Sequence, residues 1–246
     1  MRALLLCGML VCGAASAADQ PVRELEPVHV NAMRDPEVRK YKVILAGLDA
    51  FDDYHRMAPQ ADRLRFRLEK RSREEDAGGP APEARLVGND GFKLPLPIGA
   101  DGRFTVPRSE QAEDADAELE LNRKRNLYRI AADVRTPGLG PNQRRLGDLR
   151  LQCRVTVAMA KVEIPFLIRG LINSILLTTD WCSFFDNKKN TTFSFSAERP
   201  VLEAVLAEGK RSALLRSSGR SYSVPLGEGD WGDDAIIELT YGEDET

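Results

Sequence analysis

Leu149-Arg150-Leu151-Gln152-Cys153-Arg154-Val155-Thr156-Val157 is the stretch on which the fold turns. Apolar side chains stand at every second position, a period that predicts a half-buried strand. From Val157 to Lys161 the alanines and Met159 would also suit a helix, and Pro165 then interrupts the pattern. The run that follows, Phe166 to Leu177, is the most apolar beyond the N-terminus. Phe166, Leu167, Gly170, Leu171, Ser174, Ile175 and Leu177 fit helical spacing and predict a buried helix over 166–178, with Arg169 and Asn173 on its polar side. The segment is too short to span a bilayer, and Arg169 would make a span costly. Core packing is the usual fate of such a helix; insertion into a bilayer surface is the alternative.

Working upstream, short strands separated by turns are expected. Lys40–Leu45 can form a strand, and Ala46–Arg56 one short helical turn. Leu64, Phe66 and Leu68 alternate with arginines, which predicts a strand with Arg63, Arg65 and Arg67 toward solvent. Asn89-Asp90-Gly91 and Asp101-Gly102 are turn signals, and Phe92–Val106 reads as one hairpin, an edge pair because of Pro95 and Pro97. Ala117–Leu121 and Leu127–Val134 complete the set. Downstream, strands are expected at Thr191–Ala197 and Ala235–Tyr241, a short helix or turn at Val201–Gly209, and a hairpin joining Ala213–Leu215 to Tyr222–Pro225. Gly91–Leu96 faintly echoes Ser221–Leu226. The fold class expected from this is mainly β, an antiparallel β-sandwich-like fold with one or two inserted short helices, with α+β as the alternative. A loop rich in proline and glycine, Pro137–Arg145, would divide a β-rich domain at 38–136 from a second domain, or a continuation of the first, at 146–241.

The N-terminus reads as an export signal. Met1 and Arg2 precede an apolar run from Ala3 to Gly13, and Ala15-Ser16-Ala17 is a small-x-small cleavage pattern. Residues 1–17 would be removed, and 18–37 would form a polar tail. That implies a periplasmic or secreted protein, and a bacterial envelope is the compartment expected. Cys7 and Cys12 would leave with the signal, so Cys153 and Cys182 would meet in an oxidising environment as a disulfide. Closing that loop corresponds to roughly 3–4 kcal/mol in the chain-entropy picture.

The 246 residues carry 35 Lys+Arg and 38 Asp+Glu, a net charge of -3. That balance disfavours a nucleic-acid partner, which a dominant basic surface would announce. With two histidines and no HExxH, GxSxG, phosphate-binding or dinucleotide motif, catalysis has no visible grammar. Ligand-contact candidates are Trp181 and Trp231 as groove aromatics, with Arg144, Arg145 and Arg150 as a local basic patch. Asp230, Asp233 and Asp234 are weak calcium candidates, since oxygen-rich loops at sheet ends can hold that ion. No cofactor is implied. The functional expectation is a non-enzymatic binding or scaffold protein of the envelope, its partner an envelope protein or polymer, presenting edge strands or loops. The alternatives are a carboxylate-dependent hydrolase of envelope glycans or peptides, and a hydrophobic-ligand carrier built on 166–177.

Overall fold

The computed structural model describes residues 35–71, 81–185, 191–227 and 229–243. The export signal, its cleavage position and nearly all of the polar tail lie outside them. The decisive stretch is a helix. After β1 (Pro36–Lys40) and α1 (Tyr41–Asp53) come β2 (Arg65–Lys70), β3 (Ala84–Val87), β4 (Lys93–Leu96), β5 (Arg103–Phe104), α2 (Glu110–Asp114), β6 (Glu118–Lys124) and β7 (Tyr128–Asp133). Then β8 (Gln143–Arg145) leads into α3 (Leu146–Glu163) and α4 (Phe166–Leu176). The chain ends with β9 (Phe193–Ser196), β10 (Val201–Glu208), β11 (Arg211–Leu214), β12 (Ser217–Ser218), β13 (Ser221–Val224) and β14 (Ile236–Tyr241). Among the described residues this is a mixed α+β fold of four helices and four small open sheets, and not a β-sandwich. The open sheets carry no support for a periplasmic or secreted location either.

The period-2 pattern of 149–157 arises because α3 is buried on two sides. Residues two apart on a helix point about 200° apart. Leu151, Val155 and Met159 enter one apolar core, with α1, β2, β3, β6 and β7. Leu149 and Cys153 enter a second core, with β9, β10, β13 and β14, and Val157 packs against it. Two stripes of spacing four, offset by two, are indistinguishable from strand alternation in the sequence. The same reasoning corrects Lys40–Leu45. Tyr41, Val43, Ile44, Gly47, Ala50 and Phe51 are the buried face of α1, which lies on α3 with Gly47 against Met159.

Each core has its own pair of sheets, and the two four-stranded sheets repeat one strand order. The first half has strand order β1-β6-β3-β4, the second β8-β14-β10-β11, all antiparallel. In each half a strand runs into a long helix, β1 into α1 and β8 into α3. In each, the next strand pairs with a later one in a separate three-stranded sheet, β2 with β5 and β9 with β13. The echo between 91–96 and 221–226 does not mark this repeat, because β4 corresponds to β11 and β13 to β5.

Further departures have local causes. The expected hairpin over 92–106 does not form; β4 pairs with β3 across Asn89-Asp90-Gly91, and β5 crosses to β2. Val201–Glu208 is a strand whose register shifts between Val201 and Glu203, so the buried residues are Val201, Ala204 and Leu206. A bulge of that kind imitates helical spacing. Most informative is α4. It is a helix, as expected, but none of its residues is buried: Phe166 is 76% exposed, Leu167 83% and Ile175 69%.

Candidate functional site

Two of the basic candidates, Arg145 and Arg150, are partners of two of the acidic ones, Asp234 and Asp233. Arg150 donates Nη1 to Asp233 Oδ1 at 2.6 Å, Nε to the Leu226 carbonyl at 3.0 Å, and Nη2 to the carbonyls of Gly227 and Trp231 at 2.6 and 3.0 Å. Arg145 donates Nε and Nη2 to Asp234 at 3.0 and 2.8 Å, and Nη1 to the Met57 carbonyl at 2.5 Å. The first amides of α3 join the same clamp, Leu146 N–H to Ala235 O at 2.8 Å and Gly147 N–H to Asp233 O at 2.9 Å. Asp233 and Ala235 thus cap the N-terminus of α3, and the carboxylates of Asp233 and Asp234 are engaged by arginines. Asp230 lies in the turn just before Trp231. No group of three or more His, Cys, Asp or Glu side chains among the described residues is placed to hold a metal ion. The aromatics lie apart: Arg211 stacks on Trp231 at 4.3 Å, while buried Trp181 takes Lys161 over its ring at 5.2 Å and donates Nε1 to Asn173 Oδ1 at 2.7 Å.

This clamp requires close approach at Gly147. A Cβ there would overlap the Met57 carbonyl oxygen and the Arg145 guanidinium. Gly147→Ala is therefore expected to lower stability by about 1–3 kcal/mol, an overpacking cost. Chemical denaturation checks it; an unchanged midpoint would show that the clamp yields without penalty.

The disulfide forms between Cys153 of α3 and Cys182, with Cα atoms 6.1 Å apart. It fixes the segment after α4 to the middle of α3.

A groove of about 250 Å³ lies between the halves. One wall is Ile130–Ala132 of β7, the other Phe193–Ser196 of β9, and Gln152, Thr156, Met159 and Ala160 of α3 lie along it. Both strands are sheet edges, in the orders β5-β2-β7 and β12-β13-β9. In an antiparallel ladder, alternate residues turn both N–H and C=O away from the partner. Arg71 N–H donates to Leu127 O at 2.9 Å, so odd-numbered residues of β7 face β2. Ile130 and Ala132 then face outward, and Ile130 O accepts from Arg39 at 3.0 Å. Ala197 N–H donates to Arg220 O at 2.8 Å, which by the same alternation turns Ser194 and Ser196 of β9 outward. The groove therefore carries main-chain donors and acceptors on two walls. Its mouth is charged by two ion pairs, Arg39–Glu163 at 3.0 Å and Arg129–Glu69.

Beside this groove lies a buried polar junction. Asp133, at the end of β7, accepts from Arg103 Nε at 2.6 Å and lies 3.6 Å from Arg144. Arg144 donates Nη2 to Val134 O and to Gln152 Oε1, both at 3.0 Å. Arg67, expected in solvent, is buried and donates Nη2 to Ser196 O at 2.8 Å, linking the two halves. Arg103 reaches Glu198 of the second half at 2.5 Å. Burial pushes the Asp133 carboxyl up, but Arg144 and Arg103 more than offset it and hold it below the usual range. Asp148 differs: burial raises it, and bonds from Thr136 N–H at 2.8 Å and Thr136 Oγ1 at 2.7 Å only partly oppose that. Burial likewise raises the Tyr222 hydroxyl, which has no hydrogen-bond partner among the described residues.

The arginines singled out from the sequence therefore act as internal ties: Arg145 and Arg150 in the loop clamp, Arg144 in the junction. The groove edges escaped sequence reading, because β7 and β9 were visible as strands while their lack of a second neighbour was not. The helices positioning both features depend on long-range packing in the same way. Comparison with protein-family models, with curated proteins and with solved structures returned no match to this chain.

Proposed function

We propose that the chain is a non-enzymatic binding or scaffold protein acting after export, and that it takes an extended polypeptide segment along the β7–β9 groove. The observation that carries this reading is the pair of strand edges, each without a second strand neighbour, lining one groove. Strand addition obtains affinity from main-chain hydrogen bonds and selectivity from pockets for alternate side chains. Here Phe195, Met159 and Ala160 would receive side chains, and Ser194 and Ala132 would pair with the peptide backbone. The disulfide supports the compartment, since such bonds persist where thiols oxidise. The carrier alternative loses its motive, because Phe166 and Leu171 are at the surface.

Ser194→Pro tests the groove. Its N–H faces outward, so proline removes a groove donor without taking a ladder bond. Peptides selected from a random ten-residue library on the wild-type chain are expected to bind Ser194→Pro at least tenfold more weakly, with the melting temperature unchanged. Binding indifferent to the substitution, or a library that yields no binder, would refute the reading.

A further inference from the structure

We infer that α4 is a docking surface for an anionic lipid bilayer, lying in the headgroup plane rather than crossing it. The helix presents Phe166, Leu167, Ile168, Leu171 and Ile175, each more than half exposed, and Leu177 beyond its end is 90% exposed. Such a cluster on one short helix is an interaction surface and not ordinary surface scatter. The inner side, Arg169, Ile172, Asn173 and Leu176, is half-buried. Asn173 is held by the indole of Trp181, and the disulfide at Cys182 secures that base. The apolar face is thus presented on a rigid support. Eleven residues rise about 16 Å, half a hydrocarbon core. Among the described residues no helix is long and apolar enough to cross a membrane.

Charge selects the occupant. No carboxylate occurs from Ile164 to Thr179. The flanking acids are already engaged, Glu163 by Arg39 at 3.0 Å and Asp180 by Arg154. Two cations flank this face without an ion pair among the described residues: Arg169, which reaches from the inner side over the exposed Phe166 ring at 5.7 Å, and Lys161, which donates to Thr179 O at 2.7 Å. An anionic bilayer surface answers both features, burying the apolar face and neutralising the cations. Interfacial helices with an apolar face and basic flanks bind in this manner.

The test uses the full chain and vesicles of phosphatidylcholine with and without 30% phosphatidylglycerol, about a physiological anionic fraction in order of magnitude. Co-sedimentation is expected on the anionic vesicles, and weakening with salt. The triple variant Leu167→Ser/Leu171→Ser/Ile175→Ser shares the same N-terminus, so the difference isolates α4. It should bind at least tenfold more weakly while keeping its melting temperature, because all three side chains are exposed. Arg169→Glu should reduce the preference for anionic vesicles severalfold. A photoactivatable phosphatidylglycerol should label the peptide containing 166–177. Equal binding by wild type and triple variant overturns the proposal, as does no binding at all. Cross-links from α4 to a second copy, to residues 3–13 or to a protein segment in place of lipid overturn it too. These outcomes are independent of Ser194→Pro, which lies in the groove.

Discussion

Replacing Asp133 with alanine is expected to cost about 3–5 kcal/mol, the usual cost of leaving buried cations without their anion. Arg144 is 4% exposed and cannot turn to water when the carboxylate is removed, while Arg103 keeps only its more exposed partners Asp101 and Glu198. Arg103 also ties to Glu198 and Arg67 to Ser196, so the loss reaches the junction of both halves. Urea denaturation of Asp133→Ala against wild type measures it. A change under 1 kcal/mol would mean that the arginines repack and that the junction is not held by this anion.

The pH dependence follows from the direction of the shift. Because the Asp133 carboxyl is held below its ordinary value of 3.8, its stabilisation is complete above that pH. It is lost as pH falls through the lower folded-state value. Asp148 acts in the opposite sense. Its raised carboxyl favours the folded state fully below 3.8, and that contribution is lost as pH rises through the higher folded-state value. Asp133→Asn should therefore flatten the stability profile below about pH 4, and Asp148→Asn should flatten it above that point. Urea midpoints measured across pH 2–7, on the order of the carboxylate range, separate the two. An unaltered acid limb in Asp133→Asn would remove Asp133 as its source.

What could be read from sequence depended on how far away the deciding contact lies. Leu64–Glu69, Leu127–Val134, Thr191–Ala197 and Ala235–Tyr241 were legible as strands because one face of each meets one core. The turns at Asn89-Asp90-Gly91 and Asp101-Gly102 were legible because turn chemistry is local; Asp90, Gly91 and Gly102 all adopt positive φ. The Cys153–Cys182 bridge was legible because these are the two cysteines that remain if residues 1–17 are a removed signal. By contrast, Arg67 looked solvent-facing on a strand whose other face is apolar, yet that face meets the second half. The helical spacing of 166–177 was real, but apolarity does not say whether the covering surface belongs to the same chain. The groove was illegible for the same reason, since an edge is defined by the strand that does not pair with it.

The clearest consequence of the two-sided α3 is cooperative. Leu149 and Leu151 are both fully buried, one in each core. Each Leu→Ala replacement should cost about 2–5 kcal/mol, the transfer term plus the cavity left behind. Separate domains would respond separately: Leu151→Ala would loosen only the first half, and Leu149→Ala only the second. A shared wall cannot divide the damage, because α3 must unfold from both cores at once. Hydrogen exchange at β2 in the first half and β10 in the second should accelerate together in either variant, and each should melt in one transition. If Leu149→Ala sped exchange in β10 while β2 kept its wild-type protection, the halves would be independent units and α3 merely adjacent to one of them. The groove depends on the same coupling: β7 comes from one half and β9 from the other, so their two edges hold a common spacing only while α3 keeps both cores in register.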